Sequence, residues 1–476
     1  MSIIRVPIQL DEKSDFPYGA HLLISQRIQQ QLDLPIDSLV TLQLGQKMIP
    51  CKIHLFTSKT SIVRIRKDIG KHLVIPNGVQ LNMKYEPASR VLILGPVFGV
   101  LISKLIKTSD GIFGPASSFC KEIVQGAKGK GIISYIFTLN DLDQENQTIR
   151  GWIIQDDKWV QKTLPYPDSV YNRLASRKQE NAPDIQEFFT FLKENNIPMF
   201  NEHFLNKWQV HKALITIPQA QPYLPTTQLY KGFPTIKEAL DRYQSIYLKP
   251  TNGSLGKGIY RISKLGSHYM CQYSTMSGSV QKTYSKLSDL YQSIVPHISK
   301  IPYLVQQGLN LIKINGNPLD FRSLVQKDTT GKWSVTSIVG RSGQNQSIVS
   351  NLARGGTILG VGPALLMASP WNTTTRPTTA YLRKISLSLA QYLEQSMPGH
   401  FAELGIDLAV DTSGKVWLLE MNAKPSKNDD QVLSHHKTRP SVKRLLDYAL
   451  YLKSMIEPKQ RSSASLKKHH KKRKKR

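Results

Sequence analysis

One segment restricts the fold of this chain more than any other. It is an apolar strand that carries a lysine into a glycine-rich turn and is followed by a second strand, YLKPTNGSLGKGI from Tyr247 to Ile259. Glycines let the backbone approach a ligand closely, so that successive N–H groups can surround phosphate oxygens, and lysines add positive charge. The spacing differs from the P-loop and from the dinucleotide-binding fingerprint. The segment therefore predicts either a phosphate-binding loop or a plain glycine-rich hairpin.

Three oxygen-bearing side chains fall on two adjacent predicted strands, one over 405–410 and one from Val416 onward. Glu420 and Asn422 are two residues apart, so both point to the same face of a strand. Asp407 lies on the neighbouring strand, where it can face them. Carboxylate and amide oxygens are ligands that Mg²⁺ prefers, with nucleotide phosphates completing the shell. The alternative, a solvated polar face, is disfavoured by the apolar residues on both sides.

Between these two segments, three arginines suggest a phosphate clamp. Asp320 and Arg322 alternate along a predicted strand and share one of its faces. Arg341 lies further along, and Asn351 and Arg354 come just before a pair of glycines. Guanidinium groups bind phosphate and stabilise a transferring phosphoryl group. A single arginine is more often an ordinary surface residue, so the interpretation depends on all three occurring together.

The charge of the chain favours anionic partners. Its 476 residues include 63 lysines and arginines against 34 acids, a formal net charge of +29. Such an excess favours contact with nucleotides, anionic polymers or acidic peptides. Part of it lies in residues 457–476, which have almost no apolar side chains and predict a disordered basic tail. Two interpretations of the tail stay open: a solvated segment, or one that binds a polyanion through counter-ion release.

Cysteine usage and hydropathy indicate a reducing compartment and no membrane span. Cys51, Cys120 and Cys271 are far apart and predict neither a disulfide framework nor a CxxC metal site. The first residues lack the basic and apolar regions of a signal peptide. The most apolar run, residues 91–106, is shorter than the roughly 20 apolar residues that span a bilayer. We therefore expect a cytoplasmic protein.

Changes in the hydrophobic pattern divide the chain into four predicted regions. Residues 1–90 predict a β-rich domain with a helix over His21–Leu32, and no internal repeat is evident. Residues 91–195 alternate strands and helices and predict a small α/β domain. Residues 196–456 hold all three candidate sites, and residues 457–476 are the tail. The strands predicted in the first region are 39–44, 48–55, 61–65 and 72–75.

The order of these motifs resembles the ATP-grasp superfamily, and above all the YheC/YheD-type endospore coat-associated proteins of spore-forming Gram-positive bacteria. The motifs that carry the resemblance are, in order, KPTNGSLGKG, VQQ, DFR, SNLARGGT, GIDLAVD and LLEMNAKP. The YheC/YheD resemblance extends over nearly the whole chain except the tail. It implies an α/β (α+β) protein: an ATP-grasp domain of two α+β subdomains, preceded by a small α/β pre-ATP-grasp unit and an N-terminal β-rich domain.

The resemblance also implies roles for matching positions, with ATP and Mg²⁺ as cofactors and Mn²⁺ as an alternative metal. The implied nucleotide-binding residues are Lys207, Lys249, Gly253, Ser254, Gly256, Gly258, Gln306, Gln307, Leu309, Asp320 and Asn351. The predicted catalytic residues are Arg322, Arg341 and Arg354, and the implied metal ligands are Asp407, Glu420 and Asn422. Gln307 replaces a glutamate, and Asn206 an aspartate, that many relatives have; both changes concern adenine and ribose contacts rather than the metal ligands.

Two functions from different classes follow from this comparison. The first is an ATP- and Mg²⁺-dependent carboxylate–amine ligase that works through an acyl phosphate, with both substrates unknown. The second is a structural or assembly component of the spore coat, in which nucleotide binding is regulatory or vestigial and the basic surface and tail bind coat proteins or a polyanion. A nucleic-acid enzyme is disfavoured, because no basic platform with interleaved aromatic residues is evident.

Overall fold

The computed structural model describes most of the chain as two compact units. The described residues are 2–58, 60–109, 111–253, 256–275, 278–343, 356–427 and 438–455. The first unit comprises Met1–Met199, Thr329–Gly331 and the chain from Leu446 onward, and the second comprises Phe200–Asp328 and Lys332–Leu445. The predicted tail, together with Ser254, Asn351 and Arg354, lies outside the described residues.

The first unit begins with a closed β-barrel. Its strands and helices are β1 (Ile3–Asp11), β2 (Leu22–Ser25), α1 (Gln26–Leu32), β3 (Leu39–Leu44), β4 (Lys47–Phe56), β5 (Val63–Arg66), α2 (Lys67–Leu73), β6 (Gln80–Glu86) and β7 (Val91–Leu94). The strand order is β1-β5-β2-β4-β3-β7-β6. Alternate residues point into the barrel, as in β3, where Val40, Leu42 and Leu44 are buried and the residues between them are not.

The barrel consists of two similar halves, so the prediction of no internal repeat is wrong at the level of structure. β2, α1 and β3 correspond to β5, α2 and β6, at a constant offset of 41 residues from Leu22 to Val63. Both helices end in a left-handed residue, Asp33 or Val74. β2 runs parallel to β4, and β5 runs parallel to β1 in the matching register. The halves share mainly apolar positions and one proline, which leaves little sequence signal.

Two local predictions in the barrel are also wrong. The helix predicted over His21–Leu32 begins only at Gln26, because Leu22–Ser25 pairs with β4 and β5 as a strand. The strand predicted at 72–75 is instead the end of α2 and the turn after it. In both places the apolar spacing fits either a strand or a helix, and pairing with distant strands decides between them.

A second sheet completes the first unit. Its elements are β8 (Val97–Leu101), α3 (Ser117–Lys128), β9 (Ile133–Phe137), β10 (Leu142–Asp143), β11 (Thr148–Gln155), β12 (Lys158–Pro165), β13 (Ser169–Asn172), α4 (Arg177–Glu180), α5 (Pro183–Glu194) and β14 (Met199–Phe200). The order is β10-β11-β9-β8-β13-β14, with β12 paired to β11. β8 lies between β9 and β13 and is parallel to both, as expected for strands linked by helices.

The second unit contains two antiparallel sheets of six strands each. The one that comes first in the chain is called the smaller sheet, because its strands contain fewer residues in total. Its elements are α6 (Lys207–Ile215), β15 (Thr227–Leu229), α7 (Phe233–Tyr243), β16 (Ser245–Pro250), β17 (Tyr260–Leu265), β18 (His268–Thr275), β19 (Gly278–Tyr284), α8 (Leu287–Ile298) and β20 (Tyr303–Gln307). The order is β15-β20-β16-β17-β18-β19. One face packs Ile246, Leu248 and Ile262 against Leu240 of α7 and Leu290 of α8. The other face carries the polar side chains of the same strands.

The larger sheet follows. Its elements are β21 (Lys313–Ile314), β22 (Asn317–Lys327), β23 (Trp333–Ser342), β24 (Thr357–Leu359), α9 (Val361–Met367), α10 (Thr379–Ser396), β25 (Glu403–Val410), β26 (Val416–Asn422) and α11 (Pro440–Met455). The order is β24-β23-β22-β25-β26, with β21 paired to β22. Helix α10 begins with Thr378 capping the N–H of Tyr381 and buries Leu382 and Leu389 in the core of this sheet.

Two strands of the C-terminal half were predicted well. The strands predicted over 405–410 and from Val416 onward coincide with β25 and β26 to within two residues. The four domain boundaries stay a prediction. Among the described residues, no helix is both long enough and apolar enough to cross a bilayer.

Candidate functional site

A cleft lies between the two sheets of the second unit. It encloses about 470 Å³ of space outside protein atoms, part of it open to solvent. Its polar lining includes Lys207, Lys249, Gln306 and Glu420, and its apolar lining includes Val210, Leu214, Leu304 and Leu418. A mostly apolar cleft with a few convergent polar groups is typical of a ligand site.

The glycine-rich turn borders this cleft. It joins β16 to β17, which pair with each other in antiparallel register from Ser245 to Leu248. Gly256 and Gly258 have φ of +67° and +71°, a region that side chains disfavour. A Cβ at Gly253 would lie 2.9 Å from Cγ of Pro250. The turn therefore requires glycine, as a loop that wraps backbone N–H groups around an anion would.

Lys207 connects the turn to the larger sheet. Asn206 caps helix α6 by accepting hydrogen bonds from the N–H groups of Trp208 and Gln209, which places Lys207 at the first helical position. The Lys207 Nζ atom donates to the carbonyl of Gly253 at 2.6 Å and lies 3.2 Å from Oε1 of Glu420. One cation thus contacts both stretches of chain that the sequence singled out.

Lys249 lies beside Lys207 in the same cleft. Its Nζ atom donates to Oε1 of Gln306 at 2.6 Å, and the Gln306 amide in turn donates to Oγ1 of Thr227 at 2.9 Å. Burial, together with the charge of Lys207, lowers the pKa of Lys249 to about 8, against the opposing effect of Glu420 and Asp407. An anionic ligand beside this lysine would stabilise its charged form.

Four charged side chains of the larger sheet form a buried chain that we call the ion-pair network: Asp320, Arg341, Asp407 and Arg322. Arg341 donates to both oxygens of Asp320, at 2.6 and 2.8 Å, and its Nη2 atom lies 3.0 Å from Asp407. Arg322 also donates to both oxygens of Asp407. Burial would raise the pKa of Asp407, but the two arginines outweigh it and hold the pKa at about 2. The Asp407 carboxylate is therefore ionised.

The predicted metal ligands lie on two neighbouring strands, and Glu420 is the one that lines the cleft. Asp407 and Glu420 are directly opposite each other on β25 and β26, and Asn422 follows two residues later, opposite Gly405. Two carboxylates and an amide form a donor set suited to Mg²⁺. Within the described residues, no three His, Cys, Asp or Glu side chains form a metal cluster by themselves. Asp407 is shared with two guanidinium groups, so Glu420 and Asn422 are the more accessible donors.

The structure does not bring every predicted residue into the cleft. The Gln307 side chain accepts a hydrogen bond from the N–H of Thr226 at 3.1 Å, and neither Gln307 nor Leu309 belongs to the lining. Nucleotide binding through the backbone atoms of Gln307 and Leu309 stays a prediction. Asp320 is 6% exposed and is held by Arg341, so its side chain supports the network rather than facing the cleft.

Several lining residues were missed by the sequence analysis. They include His211, Thr227, Leu418 and Met421. Two patterns contain the missing information: Lys207, Val210, His211 and Leu214 are spaced as one face of a helix, and Leu418 alternates with Glu420 on a strand. Both patterns become informative only once a cleft is known to lie beside them.

Comparisons with known proteins show the family to which the chain belongs. A family model described as YheC/D-like ATP-grasp matches residues 196–452. Endospore coat-associated protein YheD of Bacillus subtilis (strain 168) is 27% identical over 87% of this chain and 91% of its own length. YheC of the same organism is 23% identical over 65% of this chain and 85% of its own.

Among solved structures, D-alanyl-alanine synthetase A from Vibrio cholerae is similar with a TM-score of 0.44 and 12% identity, over 75% of this chain and 99% of that one. The family model is the decisive finding, because it covers more than half of the 476 residues and includes both sheets around the cleft. This chain belongs to the YheC/D-like ATP-grasp family and has the ATP-grasp fold.

Proposed function

We propose that the cleft binds ATP with Mg²⁺ or Mn²⁺ and that the protein is an ADP-forming carboxylate–amine ligase associated with the endospore. The observation that carries the proposal is the position of Lys207. Its Nζ atom contacts Gly253 of the glycine-rich turn and Glu420 of the candidate metal site. A triphosphate that entered there would meet two lysines, backbone N–H groups and a metal-binding edge together. The endospore association rests on the names of the two relatives.

Each part of the nucleotide has a proposed counterpart. Lys207 and Lys249 neutralise phosphate charge, and the N–H groups of the turn around Gly256 and Gly258 surround the phosphate oxygens. The apolar lining, with Leu304 and Leu418, accepts the base. Asp407, Glu420 and Asn422 would hold the metal ion. The ion neutralises phosphate charge and polarises the phosphoryl group when it is bound.

The proposed reaction has two steps. An oxygen of the substrate carboxylate attacks the γ-phosphorus, the bond to the β–γ bridging oxygen breaks, and ADP leaves with that electron pair. The amine then attacks the acyl carbon, phosphate leaves, and the amine nitrogen loses a proton to give the amide. The protein forms no covalent bond, so its contribution is positioning and charge stabilisation, here by Arg322 and Arg341.

The ion-pair network also favours a second candidate function, nucleotide binding without turnover in a coat-assembly protein. Both oxygens of Asp407 already accept hydrogen bonds from Arg322. A cation that uses Asp407 has to share it with that arginine or displace it. A protein in which this displacement never occurs would bind ATP and not transfer its phosphate.

ADP release distinguishes the two functions. The full-length protein is incubated with ATP and Mg²⁺ and with pools of carboxylates and amines, including an extract of sporulating cells. We expect ADP to appear only when a carboxylate is present, and mass spectrometry to find an amide product when an amine is added. Tight ATP binding with no ADP release from any pool would overturn the ligase proposal and favour the second function.

A further inference from the structure

A continuous row of polar side chains crosses the smaller sheet of the second unit. Each member is directly paired with the next across neighbouring strands. We call this the polar row, and its members are Thr227, Gln306, Tyr247, Arg261, Gln272 and Gln281. Thr227 and Gln306 line the cleft, and Gln281 is exposed on the edge strand β19. The row therefore leads from the candidate ATP site to the outer edge of the sheet.

The row lies on the sheet face opposite the helices. Neighbouring residues on the same strands, Ile246, Ile262 and Cys271, belong to the apolar core with α7 and α8. Because side chains alternate along a strand, the members of the row point away from that core. From Gln306 to Gln281 the row crosses four strand spacings, about 19 Å, which matches about six residues of an extended chain. The face is thus long enough for an oligomeric ligand.

Arg261 is the charged member of the row and has no acidic partner among the described residues. Its side chain is half-buried, its guanidinium carbon lies 5.9 Å from the centre of the Tyr247 ring, and Nε makes a long contact of 3.4 Å with Oγ of Ser245. A guanidinium removed from water without a counter-ion is unfavourable. A carboxylate matches its planar pair of donors.

Next to Arg261, two buried oxygens lack hydrogen-bond partners in the described part of the chain: Oε1 of Gln272 and Oγ of Ser274. The Gln272 amide donates to Oε1 of Gln281 at 3.1 Å, which fixes the orientation of its own Oε1. Gln272 and Ser274 are two residues apart on β18 and therefore share a face. A ligand with N–H groups spaced along a chain would satisfy both oxygens.

We infer that the polar row binds the acid substrate and that this substrate is an acidic peptide or a similar polyamide. Arg261 holds one carboxylate, Gln272 and Ser274 accept amide N–H groups, and a second carboxylate reaches the cleft beside Lys249. The inference rests on the proposed ligase function in two respects: that function makes the bound peptide a substrate, and it brings the second carboxylate into the cleft. The net charge of +29 favours the same class of ligand.

A labelled octaglutamate peptide tests this inference on the full-length protein, with a neutral serine–glycine peptide of the same length as the comparison. Three variants are measured by fluorescence anisotropy: Arg261→Met, Gln272→Glu and, as a matched control, Lys282→Met. Gln272 is directly opposite Arg261, so the new carboxylate of Gln272→Glu would neutralise it internally. Lys282 pairs with Cys271 and lies on the opposite face of the same sheet.

We expect octaglutamate to bind more tightly than the neutral peptide. Arg261→Met and Gln272→Glu should each weaken octaglutamate binding about tenfold or more, whereas Lys282→Met should change it less than about twofold. ATP affinity, measured in parallel by calorimetry with Mg²⁺, should be unchanged in all three variants. Circular dichroism melting verifies that each variant is folded.

Three results would overturn the inference. These are equal binding of the acidic and neutral peptides, equal losses in Arg261→Met and Lys282→Met, or a loss of ATP affinity in Arg261→Met, which would assign this arginine to the nucleotide phosphates. The two proposals fail separately. Absence of ADP release would leave the peptide result intact, and loss of peptide selectivity would leave ATP turnover intact.

Discussion

The arginines of the two sheets that border the cleft have contrasting partners. In the larger sheet, Arg322 and Arg341 form the ion-pair network with Asp407 and Asp320. In the smaller sheet, Arg261 of the polar row contacts an aromatic ring and a distant hydroxyl and has no acidic partner in the described part of the chain. The sheets are neighbours in one unit and both are antiparallel, so strand architecture does not explain the difference.

The contrast indicates whether the negative charge that pairs with each arginine belongs to the protein or to a ligand. A buried arginine that is saturated by carboxylates of its own chain is positioned before any ligand arrives, and its cost of desolvation is offset by internal partners. An arginine without an internal partner is complemented only when a ligand brings a negative charge. On this view the ion-pair network supports catalysis and the polar row recognises a substrate.

The largest expected effect comes from Glu420, a carboxylate beside the network whose ion-pair partner is Lys207. Glu420→Gln should reduce Mg²⁺-dependent ATP turnover by at least about a hundredfold, because it removes a charged metal donor and the partner of Lys207. ADP release measures the effect. Glu394→Gln is the control, since Glu394 pairs with Lys327 and Trp333 outside the cleft. Unchanged turnover in Glu420→Gln would remove the metal assignment.

Stability provides the next test. Of the two arginine environments, the ion-pair network should stabilise the folded protein, and Arg261 should contribute little. Asp320→Asn leaves the buried Arg341 with one carboxylate fewer and should lower the free energy of unfolding by about 3 kcal/mol. Arg261→Met should change it by less than about 1 kcal/mol, because no internal ion pair is lost. Urea titration followed by circular dichroism measures both. Equal losses of unfolding free energy in the two variants would contradict the proposed difference between the two sheets.

The sequence predicted the fold class correctly, and it singled out several charged residues of the cleft whose roles stay predictions. Lys249, Asp407 and Glu420 were chosen from motifs in which charged residues interrupt apolar strands, and such interruptions remain visible in a single sequence. Lys207 came from the family resemblance. Lys207, Lys249 and Glu420 line one cleft, and Asp407 is paired with Glu420 across neighbouring strands. What the motifs could not predict is how the charges pair, as with Asp320, which supports Arg341 instead of facing a ligand. Pairing depends on strand register, which is set by residues far away in the chain.

The barrel shows the opposite limit of sequence reasoning. Its two halves have matching helices and matching strand registers, yet the sequence gives little sign of a repeat. A barrel core requires only that certain positions be apolar, and many residues meet that requirement. A chemical site requires particular side chains. The sequence analysis also missed the polar row. Tyrosine, glutamine and threonine are common on strands, and only the strand register shows that these residues lie side by side.

Lys249 lines the cleft and gives a smaller, pH-dependent effect. Because its pKa is about 8, the side chain is charged below that pH in the free protein, and neutral above it. Bound phosphates would favour the charged form, so ATP affinity should fall as pH rises above 8, by up to about tenfold per pH unit. Calorimetry between pH 7 and about 10 measures this. Lys249→Arg should bind with a flat pH profile, and a slope that persists in that variant would exclude Lys249 as its cause.

The smallest expected effect is a response to salt, and it separates the two sheets most directly. Asp320 and Arg341 are each 6% exposed, so ions screen their interaction weakly. The loss of unfolding free energy in Asp320→Asn should therefore differ by less than about 0.5 kcal/mol between low and high ionic strength. Octaglutamate binding at Arg261 should weaken steadily over the same range, because the ligand's charge is exposed to solvent before it binds. A salt-dependent stability loss together with salt-independent peptide binding would reverse the assignment of the two arginine environments.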